Sequence, residues 1–152
     1  MATLLDELDE LVTSLERNGI EYAVCGGLAM AIYGFVRATV DIDVLIRPES
    51  LEQALLVAQE HGFDIRGLDM SFKDRAVEIR RISKIDDVGE VLSLDLLLVT
   101  PDVEDVWATK ELVAFVGRKW IVVSRDGFIK MKTLAGRPQD LVDIERLENE
   151  EG

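Results

Sequence analysis

A nine-residue run past the middle of the chain, Val91-Leu92-Ser93-Leu94-Asp95-Leu96-Leu97-Leu98-Val99, is apolar except at Ser93 and Asp95. A half-exposed strand alternates apolar and polar residues, and this run does not, so it predicts a central strand covered on both faces. Asp95 stands in the middle of it. An unpaired buried carboxylate is costly, so the group needs a cation or a hydrogen-bond donor.

Two more acids sit in a second apolar segment, Val40-Asp41-Ile42-Asp43-Val44-Leu45-Ile46. Side chains alternate along a strand, so Asp41 and Asp43 share one face while Val40, Ile42 and Val44 take the other. Two carboxylates on one face make a hard-cation site. Fourteen residues before Asp41 comes the second glycine of Gly26-Gly27, between the apolar Tyr22-Ala23-Val24-Cys25 and the helix-prone Leu28-Ala29-Met30-Ala31-Ile32. Free amide groups at such a strand-to-helix turn are suited to a phosphate. If the strand with Asp95 neighbours the strand with Asp41 and Asp43, all three acids converge on a magnesium-type site.

The rest of the chain supplies helices and further strands. Leu4, Leu5, Leu8, Leu11, Val12 and Leu15 recur at helical spacing, predicting an amphipathic helix over 4–18 that Gly19 ends. A short strand over 21–25, the glycine turn and a helix over 28–33 follow. Pro48 starts a helix running to His61-Gly62, with His61 as its C-terminal cap rather than a base. Residues 76–82 alternate as a strand, and an acidic helix ends at Trp107. Residues 113–116 and 120–123 predict a hairpin around Gly117, and Ser124 caps a helix over 127–135. A last helix from Pro138 carries Leu141, Ile144 and Leu147 and pairs antiparallel with the one before it. Trp107 and Trp120 are expected to pack in the core or at its rim. The expected fold class is α+β, a mixed sheet of about five strands flanked by helices, with two short C-terminal helices.

With 152 residues the whole chain, 1–152, is expected to form one domain. A hydrophobic content of 48% beside 31% charged residues is that of a globular protein, and no apolar run approaches the roughly 20 residues of a membrane span. The N-terminus carries acids where a secretory leader carries bases, and the one cysteine, Cys25, lies in an apolar strand; a cytoplasmic protein is expected. A net charge of −13 argues against general nucleic-acid binding, except through a local basic patch such as Arg75, Arg80, Arg81 and Lys84. A partner protein with a basic surface suits the acidic excess equally well.

The paired glycines, the spacing to Asp41-Ile42-Asp43 and the third acid, Asp95, resemble the minimal nucleotidyltransferase family of the polymerase-beta superfamily. The stretches Arg37 to Ile46 and Lys132 to Asp143 are similar to the branch that includes nucleotidyltransferase toxins of type IV toxin-antitoxin (abortive infection) systems. The resemblance implies a nucleotidyltransferase fold. It implies transfer of a nucleoside monophosphate from a nucleoside triphosphate to a hydroxyl, with pyrophosphate leaving. By the same analogy Gly26 and Gly27 contact the triphosphate, Asp41 and Asp43 bind two Mg2+ ions (Mn2+ serving as an alternative), and Asp95 binds the catalytic ion and helps deprotonate the hydroxyl. Arg37 and Thr39 fall on the face of the acids by alternation, which places Arg37 near the phosphates; Lys132 is a second cationic candidate.

Each residue also has a plainer role open to it. The glycines could form an ordinary turn, Asp41 and Asp43 could be solvated edge carboxylates, and Asp95 could simply pair with Arg37. Arg137, Asp140 and Asp143 are expected to fix the last two helices against each other. Three functions stay open: a nucleotidyltransferase acting on RNA, protein or a small molecule; a binding or regulatory module that keeps the fold without activity; and an antibiotic nucleotidyltransferase. Many larger relatives close the site with a helical domain, where only the two short C-terminal helices are expected here, so a second copy or a partner protein is a candidate to complete the acceptor pocket.

Overall fold

The computed structural model describes residues 3–35 and 41–151; Arg37, Thr39 and Val40 lie outside them. The helices are α1 (Leu4–Arg17), α2 (Gly26–Ile32), α3 (Leu51–Glu60), α4 (Glu104–Ala108), α5 (Arg125–Ala135) and α6 (Pro138–Glu151). The strands are β1 (Ala23–Cys25), β2 (Asp41–Ile46), β3 (Ile65–Arg66), β4 (Met70–Phe72), β5 (Val77–Ile85), β6 (Val91–Leu98), β7 (Glu111–Phe115) and β8 (Arg118–Val122).

All eight strands belong to one mixed sheet in the order β3-β5-β6-β2-β1-β8-β7, with β4 pairing β5. The α+β class stands, and the sheet has more strands than the five expected. The surplus includes β3 and β4, two and three residues long, which are too short to carry a legible alternation. The run around Asp95 is indeed central: β6 pairs antiparallel with β5 and parallel with β2. Its apolar residues Leu94 and Leu96 are buried, as are Ile42, Val44, Leu45 and Ile46 of β2.

The helices lock onto this sheet through their apolar stripes and a few polar ties. Leu8, Leu11, Val12 and Leu15 of α1 are buried, and the helix starts in a capping box in which the Asp6 amide donates to Thr3 Oγ1 (3.1 Å) and the Thr3 amide to Asp6 Oδ2 (3.0 Å). Trp120 of β8 is buried in the core and donates through Nε1 to Asp9 (3.0 Å), holding α1 against that strand. His61 does cap α3, and its Nε2 lies 2.7 Å from Ser14 Oγ. The paired glycines differ from the expected turn. They are the first two residues of α2, so strand passes to helix at Cys25 without a loop.

No helix among the described residues is long and apolar enough to cross a membrane.

Candidate active site

Strand register gathers the chemistry on one rung of the sheet. Asp43 of β2 lies opposite Asp95 of β6; Asp95 lies opposite Arg81 of β5; and Asp43 lies opposite Cys25 of β1. Residues directly opposite one another on neighbouring strands project to the same face. Asp41, two residues before Asp43, joins that face. Together with Gly26 and Gly27 these acids line a cleft of about 200 Å³, whose other wall includes Lys132, Arg137 and Phe128 of the C-terminal part. Of the candidates named from the sequence, Asp41, Asp43, Asp95, Gly26, Gly27 and Lys132 line this common cleft. Arg37 and Thr39 fall outside the described residues.

Gly26 is required where it stands. Its φ is +65°, and a Cβ there would sit 2.1 Å from Asp43 Oδ2 and 2.6 Å from Asp43 Cγ. Only a residue without a side chain lets the start of α2 approach this carboxylate so closely.

Asp43 carries the largest electrostatic load in the cleft. Burial, then the charges of Asp95 and Asp41, push its carboxyl up to about 7 from the ordinary 3.8, against the weaker pull of Lys132 and Arg137. Among the described residues no hydrogen-bond donor reaches it. Asp41, partly exposed, is raised as well, first by burial and then by Asp95, with Arg81 opposing. Cys25 is buried beneath them, its thiol pushed up by burial and by Asp43, so it is no nucleophile.

Arg81 is the residue the sequence reading did not assign to the site. The donor to Asp95 among the described residues is Arg81: Arg81 Nε donates to Asp95 Oδ1 (2.7 Å) and Nη2 to Oδ2 (2.9 Å), while Nη2 lies 3.9 Å from Asp41 Oδ2. The signal was present in the hairpin. A turn at Asp86 to Glu90 pairs Ile85 with Val91, and counting back along both strands brings 81 opposite 95.

Lys132 is a wall residue with ties of its own. It is buried, and Nζ lies 2.9 Å from Asp140 Oδ1 and 3.3 Å from Asp143 Oδ2. Arg137 Nε donates to Asp140 Oδ2 (2.7 Å), and Gln139 to Asp143 (2.8 Å). Burial alone would raise the Asp140 carboxyl, but the Arg137 and Lys132 hydrogen bonds outweigh it and hold it below the usual range. This cluster fastens α6 to α5, as expected of Arg137, Asp140 and Asp143. Lys132 adds its field to the cleft from within it.

The donor chemistry fits a divalent cation. Three carboxylates share one face, and one of them, Asp43, is half-buried with no hydrogen-bond donor among the described residues; hard oxygen ligands with excess negative charge are what Mg2+ takes. The ligand set is not preformed. Among the described residues no three His, Cys, Asp or Glu side chains are gathered closely enough to hold a metal as they stand, and both Asp95 oxygens are turned onto Arg81.

No protein-family model matches the sequence, and no curated protein matches it by sequence. Solved structures do match in fold. A Thermotoga maritima protein provisionally described as a nucleotidyltransferase superposes with a TM-score of 0.65 at 18% identity, over 96% of this chain and 92% of its own. ANT(2")-Ia, solved in complex with adenylyl-2"-tobramycin, gives 0.63 at 16% identity over 96% of this chain and 87% of its own. The lincosamide antibiotic adenylyltransferase LnuA, lincomycin-bound, gives 0.61 at 14% identity over 97% of each chain. The cleft with Asp41, Asp43 and Asp95 is therefore carried on the nucleotidyltransferase fold.

Proposed function

We propose that the chain is a magnesium-dependent nucleotidyltransferase, moving a nucleoside monophosphate from a nucleoside triphosphate to a hydroxyl of an acceptor, with pyrophosphate leaving. The observation that carries this reading is the one sheet face shared by Asp41, Asp43 and Asp95, the last two on the same rung, beside the Gly26-Gly27 backbone, on a fold found in adenylyltransferases. Asp41, Asp43 and Asp95 would hold Mg2+, which supplies charge neutralisation and polarisation at the phosphoryl oxygens. Gly26 lets the start of α2 lie against Asp43, where a Cβ would collide with the carboxylate, and Gly26 and Gly27 would present bare backbone to the polyphosphate. Lys132 and Arg137 add positive field from the opposite wall, suited to a leaving pyrophosphate. Asp95 is the base for the acceptor hydroxyl in this reading. The work asked of the protein is positioning and charge stabilisation, so acids and cations suffice without a nucleophile.

For the acceptor, two observations favour a small molecule over nucleic acid: the net charge of −13, and the two antibiotic adenylyltransferases among the neighbours. An antibiotic-like hydroxyl compound is the reading they support. A second copy of the chain or a partner protein would complete the acceptor pocket. The toxin-antitoxin resemblance rests on the sequence motifs alone.

The test is label transfer. Purified protein is incubated with each of four α-phosphate-labelled nucleoside triphosphates, Mg2+, and in turn an aminoglycoside and lincosamide panel, RNA, and cell extract. Transfer that disappears in Asp41→Asn supports the reading; no transfer and no nucleotide binding with any triphosphate overturns it in favour of a binding module.

A further inference from the structure

We propose that Arg81 is a positioning residue that stands in for the cation in the metal-free protein, clamping Asp95 and withdrawing before Asp95 takes a divalent ion. The inference rests on the nucleotidyltransferase reading above and names how its metal site is loaded.

Four observations lead to it. The clamp is bidentate, so both Asp95 oxygens are engaged by one planar guanidinium, the strongest ordinary form of an Arg-carboxylate pair. The same guanidinium reaches toward Asp41 at 3.9 Å, so a positive charge lies between two of the three carboxylates. Asp95 and Asp41 are two of the three residues that would hold the divalent ion, and the guanidinium occupies the space between them. Third, only one partner of the clamp is free to move: the Arg81 side chain is 38% exposed and the Asp95 side chain 7%.

The fourth observation is how the arginine is mounted. Its backbone carbonyl accepts from the Gly67 amide (2.9 Å) and from Arg66 Nη1 (3.1 Å). A Cβ at Gly67 would lie 3.2 Å from both Arg81 Cβ and Cγ, so the stem is packed against backbone and only the head can swing. Charge balance points the same way. The charges of Asp95 and Asp41 act on Asp43 more strongly than those of Lys132 and Arg137, and exchanging a single positive charge for a divalent ion would relieve it. With Arg81 in place, no three acids among the described residues form a ligand set.

A purely structural clamp is the competing explanation, and Arg81→Lys separates the two. Lysine keeps the charge and the aliphatic stem but loses the fork, so the field at the site is preserved while the clamp is weakened. Affinity is read as Mn2+ binding by electron paramagnetic resonance, in wild type and Arg81→Lys. In parallel the Arg81 Nε-H resonance of the wild type is followed as Mg2+ is added, which needs no variant to fold. We expect roughly tenfold tighter Mn2+ binding in Arg81→Lys, from the loss of one charge-assisted hydrogen bond, and a shifted, exchange-exposed Nε-H in the presence of Mg2+. Equal or weaker Mn2+ binding by Arg81→Lys, with an unmoved Nε-H, overturns the inference and leaves the metal site standing. No Mn2+ binding by either protein overturns the inference and the nucleotidyltransferase reading together.

Discussion

Replacing Asp43 by asparagine should make the metal-free protein more stable, because it removes a charge the fold holds at a disadvantage. In the unfolded chain the carboxyl ionises near 3.8, in the folded protein near 7. Between those values the folded state binds the extra proton, so stability falls as pH rises through that window. The interval of about three pH units, at about 1.36 kcal/mol per unit, sets a ceiling of about 4 kcal/mol at pH 8. Asparagine keeps the shape and never ionises. Allowing for relaxation and water in the cleft, we expect a gain of roughly 1–3 kcal/mol at pH 8, or several degrees in Tm for a chain of this size, shrinking toward zero near pH 4. The assay is thermal unfolding by circular dichroism in low salt with a chelator, wild type against Asp43→Asn, from pH 4 to 8. Adding Mg2+ at pH 8 should raise the wild-type Tm and leave the variant unmoved, since an ion bound only by the native state stabilises it. A variant less stable than wild type by the same margin at both ends of the range would refute the reasoning.

Gly26→Ala should cost about 1–3 kcal/mol from the left-handed backbone alone, and more as its methyl displaces Asp43; denaturant unfolding would read the loss, and calorimetry the loss of Mg-nucleotide binding. Lys132→Met takes from Asp140 and Asp143, both fully buried, the ammonium they share, and should cost about 3 kcal/mol in urea unfolding at pH 7. The Asp140 pairing is present above the unfolded carboxylate pKa and lost as pH falls below it, so this penalty should fade in acid below about pH 4.

Much of the frame could be read before any coordinates. The β6 run had to be central because an apolar stretch without alternation has no solvent face, and Asp41 and Asp43 had to share a side because strand periodicity is two. What stayed hidden depends on pairing between distant strands. That Asp43 faces Asp95 follows from a parallel register across a crossover of some fifty residues, which local pattern does not set. Arg81 was legible in principle from the 86–90 turn, but two adjacent arginines on a strand read first as a surface patch. Lys132 shows the opposite limit: its sequence context marks a cation near the end of α5, and only packing reveals that Asp140 and Asp143 already hold it.

The central claim is that Asp41, Asp43 and Asp95 join with the diglycine backbone into one magnesium and triphosphate site. Isothermal titration of ATP, GTP, CTP and UTP into wild type and Asp43→Asn, each with and without Mg2+, tests it most directly, because the variant is expected to be folded. The account predicts binding of at least one triphosphate that Mg2+ strengthens in wild type and not in Asp43→Asn. Binding that ignores Mg2+, or a Mg2+ effect that survives the substitution intact, would contradict it.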